Sequence, residues 1–547
     1  GVLVAAIIIV FRFLIESGQS GLLPLADPEN YEALDWPVRI LFTTAGGLVL
    51  GLLFFIVSRP PLRVGIIHVL ERLSYHEGHL PFKHALLQFV GASIAIISGQ
   101  SVGREGPSVH LGAAGGSLLG QKLRLPNNSI RILVACGSAG AIAASFNTPL
   151  AGVVFAMEVI MMEYTITGFT PVILAAVSAT AVNRLAFGAH PAFIVPALEL
   201  HSFWELPLIV LMGILIGAVA ALFIYSLKWI THKSRNIPVW ACLPLAGLGV
   251  GLCAIAAPQV MGIGYDTVNH AFMGDLAIHL LLLIAVVKLI ATVISIGLGM
   301  PAGLIGPILF IGAILGSLAG LLLGQFPFSV SHPGLYAMLG MGAMMGATLQ
   351  APLAALLALL ELTGNQNIIF PGMLAIVSAN LAAQELFGTG SVYISQMKEI
   401  GLDYRNDPIA QSLRRLGVAS AMNKAFSIIQ QEISRSQARK ILEEQPHWLV
   451  ITRQDGNLLM PAADLARYLE ENEDNEDEEI DILEIPSKRK QLAPVYQQST
   501  LQQALNILDE TGAEALYVIR RLGVSADRIY GIITRADIEE KYRPRKQ

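Results

Sequence analysis

The sequence predicts an all-α membrane protein made of two homologous halves of short, broken helices, followed by a soluble α/β region. Three observations carry that reading. Of 547 residues, 54% are hydrophobic and only 14% charged, with a mean hydropathy of +0.59, which excludes a purely soluble chain. A Gly/Pro element recurs: residues 103–120 (GREGPSVHLGAAGGSLLG) and 303–320 (GLIGPILFIGAILGSLAG) agree at nine positions without a gap. From about Val418 the long apolar runs give way to alternating β-rich and amphipathic stretches.

In chain order, apolar runs lie near 1–15, 38–57, 83–98, 106–120, 130–146, 149–163, 169–187, 206–230, 238–257, 277–298, 302–324, 335–347, 352–362 and 368–387. Gly1 opens directly into VLVAAIIIVFRFLI, so the chain is expected to begin part-way into its first membrane helix rather than with a signal peptide. Several runs fall short of the roughly 20 residues that cross a hydrocarbon core. Broken helices survive at that depth only where they pack against protein or line a polar cavity. The interruptions therefore imply a pathway.

Each repeat reads as a glycine-permitted turn followed by a helix that starts near Pro107 or Pro307. Gly/Pro breaks at matching places in two halves point to a midplane ion site. Gly112, Gly116, Gly312 and Gly316 read first as places where helices pack closely. The repeat continues with Pro149-Leu150-Ala151 and Glu158 nine residues on, echoed by Pro352-Leu353-Ala354 and Glu361 nine residues on. The halves fall at about 1–190 and 200–400 of a membrane domain spanning 1–400. Identity alone leaves open whether they run parallel or inverted.

Free N–H groups at helix starts carry roughly +0.5 elementary charge, so they can hold an anion weakly enough to release it. Glu105 is the anomaly in this setting. A carboxylate in an apolar segment costs about 2.5 to 3.5 kcal/mol on insertion scales, and such residues mark ion paths by default. Being an anion itself, it can occupy the N–H cradle, block the path while ionised and leave on protonation. Cys136, Cys242 and Cys253 sit in apolar segments without metal-ligand spacing. The sequence offers no nucleophile with a base, no metal cluster and no phosphate loop, so nothing supports an enzyme or a nucleic-acid partner.

GREGPSVHLGA, the second GLIGP, ASFNTPLAGVVFAMEV and the late GTGSVYISQ together resemble the CLC family of chloride channels and proton-coupled chloride exchangers. The resemblance implies a homodimer, with a separate anion pathway in each subunit built from two inverted halves. It assigns Glu105 the gating role. It carries the anion-binding amides onto Arg104, Glu105 and Gly106 and onto Leu304, Ile305 and Gly306, and one anion-binding hydroxyl onto Tyr393. Arg104 reads as a field-setting charge rather than a direct ligand.

Two departures from the family pattern bear on mechanism. The family's Gly-Ser-Gly-Ile-Pro segment corresponds here to Arg63-Val64-Gly65-Ile66-Ile67-His68, so Val64 stands where a serine hydroxyl is expected, while the Gly65 and Ile66 amides remain. This weakens the expected preference for chloride over nitrate. His68 reads as a capping or interfacial residue. Exchangers of the family also carry an intracellular proton-accepting glutamate, and FAMEVIM places Val159 there with Glu158 adjacent. Either anions move without protons, or Glu158, Glu163 or a water chain substitutes.

The C-terminal part resembles a tandem CBS pair: a linker at 401–417, a first copy at 418–470, an acidic linker at 471–483 read as solvated loop, and a second copy at 484–547. In GIITRADI the resemblance gives Thr534 and Asp537 contacts to the ribose or phosphate of an adenine nucleotide (ATP, ADP or AMP), whereas LLMPAADL has Pro461 in place of the threonine. A purely structural pair is the competing reading, with no cofactor. The expectation is therefore transport of chloride or a similar monovalent anion, gated by Glu105 without obligatory proton coupling, in a bacterial inner membrane with the CBS pair cytoplasmic. The alternatives are a proton/chloride exchanger with a replaced relay and a membrane-anchored nucleotide sensor.

Overall fold

The computed structural model describes residues 1–547 except 24–29, 58–62, 165, 190–192, 194, 196–197, 326–330, 403–407, 454–455, 473–478, 521–527 and 542–547. The chain divides into two units, residues 1–123 with 130–404 and residues 124–129 with 405–547. The apolar runs become helices: α1 (Val2–Leu22), α2 (Trp36–Val57), α4 (Phe82–Ile97), α5 (Glu105–Lys122), α6 (Asn127–Phe146), α7 (Pro149–Phe155), α8 (Ile166–Phe187), α9 (Leu206–Ser234), α10 (Val239–Ala256), α12 (Ile278–Gly297), α13 (Ile305–Leu323), α14 (Pro333–Leu349), α15 (Pro352–Thr363) and α16 (Ile369–Leu381). Among the described residues, nine helices are long and apolar enough to cross a membrane. Three short helices that hydropathy did not foresee complete the unit: α3 (Ile66–Tyr75), α11 (Tyr265–Met273) and α17 (Val392–Glu399).

The two halves make reciprocal contacts, the pattern expected about a local two-fold axis. Gly103 and Gly303 form an antiparallel bridge, each N–H donating to the other's carbonyl at 2.7 and 2.8 Å. A Cβ on Gly303 would lie 2.6 Å from the Gly106 nitrogen, so only glycine lets the two turns meet. The same exchange recurs at the paired glutamates. Glu158 accepts from the Leu353 and Ala354 N–H groups at 3.3 and 2.7 Å, and Glu361 accepts from those of Leu150 and Ala151 at 3.0 and 2.8 Å. Each carboxylate thus satisfies orphan donors at the start of the opposite half's helix, where the helix dipole favours negative charge.

Small residues let the helices around this axis touch. A Cβ on Gly112 or Gly116 would fall 2.2 or 2.1 Å from a carbonyl of α6, and one on Gly312 or Gly316 would fall 2.4 or 2.0 Å from a carbonyl of α14. The close-packing reading of these four glycines holds. α7 and α16 run on into π turns at Ala156–Met161 and Ala382–Leu386, a local departure common near functional sites.

The C-terminal unit contains two β-α-β-β-α copies. The first runs β1 (Phe426–Ile429), α19 (Arg435–Glu443), β3 (Trp448–Ile451), β4 (Leu458–Pro461) and α20 (Ala462–Glu471), after α18 (Pro408–Arg415) and with β2 (Glu432–Ser434) inserted. The second runs β6 (Lys490–Tyr496), α21 (Leu501–Thr511), β7 (Ala515–Ile519), β8 (Ile529–Thr534) and α22 (Arg535–Glu540). They share a six-stranded sheet in the order β1-β3-β4-β6-β7-β8, parallel within β1-β3 and β6-β7 and antiparallel elsewhere. Capping boxes at Ser434, Thr500 and Thr534 start α19, α21 and α22, whereas Pro461 leaves α20 without a side-chain cap.

The acidic stretch corrects one expectation. Its residues 473–478 lie outside the described set, but β5 (Glu479–Asp481) is a strand rather than a solvated loop, paired antiparallel with β2. The reason is apolar: Ile480 lies opposite Ile433 and both are buried, which outweighs the preference of the flanking carboxylates for water. The linker read at 401–417 falls partly outside the described residues, at 403–407.

Candidate functional site

The paired turns at Gly103 and Gly303 lead straight into α5 and α13, whose first N–H groups have no partner within their own helices. Glu105 sits at this meeting point with no exposed surface. Its Oε2 accepts from the Gly306 N–H at 3.1 Å, and its Oε1 accepts from the Tyr265 hydroxyl at 2.6 Å. A Cβ on Gly103 would lie 2.2 Å from Oε2, and one on Gly306 3.2 Å, so both glycines leave room for the carboxylate. A side chain of one half is therefore bound by a backbone donor of the other.

Beside this carboxylate lies a cavity of about 360 Å³, whose lining includes Val64, Gly65, Ile66, Gly106, Leu304 and Tyr393. Ile66 opens α3 and Tyr393 lies in the first turn of α17, so two of the short helices present their starts here. Gly65 takes φ +82°, a left-handed conformation that favours glycine and turns the chain into α3. Tyr393 is buried, and its hydroxyl has no hydrogen-bond partner among the described residues. A buried donor left unmatched costs about 1–3 kcal/mol, so it stands ready for an acceptor in the cavity.

The remaining expected residues are distributed as follows. Ile305 and Gly306 form the first turn of α13 and are buried. The Arg104 guanidinium lies 4.0 Å from Glu16 and over the Tyr265 ring at 5.7 Å. Val64 borders the cavity with an apolar side chain where a hydroxyl was expected. His68 is not a cap or an interfacial residue: it is buried, with Nδ1 2.8 Å from Nε2 of His110 and its ring stacked on His84 at 4.3 Å.

Glu158 lines a second cavity, of about 550 Å³, with Tyr164, Gln350, Asn380 and Gln384. The carboxylate is held by the start of α15, so its first role is structural. Thr534 and Asp537 face each other in a capping box: the Thr534 hydroxyl donates to Asp537 at 2.7 Å, and the Asp537 N–H donates back to that hydroxyl at 3.3 Å.

Two residues escaped the sequence reading. Tyr265 opens α11 after Gly262-Ile263-Gly264, a glycine pair between apolar runs that could have signalled a turn. Lys288 is a lone cation inside the apolar α12, a feature that marks function by default in a membrane. Fully buried, it donates to the Val260 and Gly262 carbonyls at 3.0 Å each and lies over the Phe310 ring at 4.7 Å.

Comparison with known proteins agrees with this geometry. The profile of the family described as "Voltage gated chloride channel" matches residues 42–384. The chain is 34% identical over 372 residues to a ClcB-like protein of Ralstonia nicotianae, covering 66% of this chain and 86% of that one. It is 32% identical over 312 residues to the H(+)/Cl(-) exchange transporter ClcA of Vibrio cholerae, covering 55% and 67%. The crystal structure of a eukaryotic CLC transporter superposes with a TM-score of 0.61 at 21% identity over 98% of this chain and 96% of that one, a likeness of fold.

Proposed function

We propose, on the premise that this chain belongs to the voltage-gated chloride channel family, that it is a passive transporter of chloride or a similar monovalent anion in which the Glu105 carboxylate is the gate. The observation that carries this is the placement of Glu105: a fully buried carboxylate held by the Gly306 N–H, beside a cavity into which an unmatched Tyr393 hydroxyl opens. The carboxylate and a mobile anion need the same donors, so they compete for them. Protonation removes the negative charge from one competitor and frees the cradle. The role is transport rather than catalysis, and the unit doing it is integral to a membrane.

Proton coupling is the finer part of the proposal. By the family resemblance Val159 stands at the position of the exchangers' proton acceptor, and it carries no ionisable group, which favours conduction without obligatory proton movement. One specific observation supports the second reading, a proton/chloride exchanger. Glu158 borders a cavity with Tyr164, Gln350, Asn380 and Gln384, a polar lining that could carry a water-borne proton, and the Vibrio cholerae relative is named an exchanger. Chloride flux from proteoliposomes with a simultaneous pH electrode decides between them. Chloride movement without protons supports the passive transporter, and uphill proton movement driven by a chloride gradient overturns it.

The family reading also leads us to place two such chains in a homodimer in a bacterial inner membrane, with the C-terminal α/β region on the cytoplasmic side as a CBS pair. For that region we propose an adenine nucleotide as ligand, with Thr534 and Asp537 as contacts. Asp537 would have to share its carboxylate between the capping box and the ligand. Titration calorimetry with ATP, ADP and AMP tests this, and absence of heat with all three removes it.

A further inference from the structure

We propose that the Tyr265 hydroxyl is a second anion-binding hydroxyl of the pathway: it positions the Glu105 carboxylate and donates the same hydrogen bond to the anion that replaces it. The inference rests on the gating role proposed for Glu105 and deepens it. Of the two bonds that hold the carboxylate, the one from Tyr265 is the shorter, 2.6 against 3.1 Å. Val64 removes the hydroxyl expected near α3. Tyr393 beside the cavity and Tyr265 at the carboxylate are hydroxyls that a mobile anion can meet in its place.

The surroundings of Tyr265 fix that hydroxyl in space. Gly264 takes φ +80° at the start of α11, and a Cβ there would meet the Phe310 ring at 2.7 Å. Lys288 clamps the preceding turn through the Val260 and Gly262 carbonyls. Phe193 packs edge-on against the Tyr265 ring at 5.0 Å, and Arg104 lies over it at 5.7 Å. A phenol held this way loses little rotational freedom when it changes acceptor, and an uncharged O–H binds a halide or nitrate without trapping it. Among the described residues, the charged groups that the contacts place here are Glu105 and Arg104 at the start of α5 and Glu16 beside Arg104 at 4.0 Å, with Asp266 next to Tyr265 on α11 and Lys288 bound to the turn that precedes it.

The test is a cycle of Tyr265→Phe and Glu105→Gln, alone and together, in proteoliposomes and in detergent. Tyr265→Phe keeps the ring packing and removes only the donor. In the presence of Glu105, loss of a bond to the ionised form moves the pH of half-maximal chloride flux upward by about one unit. In the Glu105→Gln background, where the pH response is already flat, the same change weakens chloride binding by about tenfold in calorimetry, with unchanged Tm. Should Tyr265→Phe fail to fold, 3,5-difluorotyrosine at position 265 keeps the shape, strengthens the donor and is expected to tighten chloride binding. Unchanged flux midpoint and unchanged chloride affinity, in a Glu105→Gln protein that still conducts, overturn the role of Tyr265 alone. A Glu105→Gln protein that keeps the wild-type pH response instead overturns the gate on which the role depends.

Discussion

Replacing Glu105 by Gln tests the competition between side chain and anion directly. The carboxylate has an acceptor on each oxygen, one for Gly306 and one for Tyr265. A carboxamide keeps the shape but offers a single, neutral acceptor, so one donor loses its partner and the other bond loses charge assistance. Bonds to charged groups contribute about 1.5–3 kcal/mol against about 1 kcal/mol for neutral ones. The side chain's hold on the cradle therefore weakens by about 2–5 kcal/mol, on the order of 30- to 5,000-fold in occupancy. Chloride efflux from proteoliposomes, measured between about pH 4 and pH 8, should rise as pH falls for the wild type, because protonation neutralises the competitor. The Gln variant should be open and nearly flat across that range. A variant that retained the wild-type pH dependence would refute the reasoning.

Four further outcomes follow from the same geometry. Tyr393→Phe removes an unmatched buried hydroxyl, so Tm should hold or rise slightly while chloride affinity falls roughly tenfold or more; parallel thermal melts and calorimetry check both. Val64→Ser returns a hydroxyl to the cavity lining, and the ratio of chloride to nitrate flux should increase. Glu158→Gln and Glu361→Gln each weaken two bonds at the start of the opposite half's helix, so each should cost about 0.5–1 kcal/mol and lower Tm by similar amounts. Thr534→Ala opens the capping box of α22 and should cost about 1 kcal/mol, read in urea titration of the full chain by a probe in the C-terminal unit.

The long apolar helices and the repeat were legible in the sequence because hydropathy and Gly/Pro punctuation report burial and backbone breaks directly. Glu105 was legible because a carboxylate between apolar runs has few uses in a bilayer. Three helices were not: α3, α11 and α17 have 10, 9 and 8 residues, too short and too polar to register as membrane segments. They carry Ile66, Tyr265 and Tyr393 to the candidate site, so hydropathy was least informative there. Lys288 was lost inside an apolar run whose average conceals one charge. His68 was misread because its partner His110 lies on α5, forty-two residues away, and a contact of that range leaves no local signal. The strand at Glu479–Asp481 was hidden likewise, since carboxylates dominated a stretch whose fold is set by Ile480 and its distant partner Ile433.

The central claim is that an anion and the Glu105 carboxylate alternate on one set of donors. Anomalous diffraction from crystals of the Glu105→Gln protein soaked in bromide tests it most directly. A bromide peak within contact of the Gly306 amide, where the wild-type carboxylate oxygen sits, is the predicted result. Bromide confined to other parts of the protein, with those donors left unvisited, would contradict it.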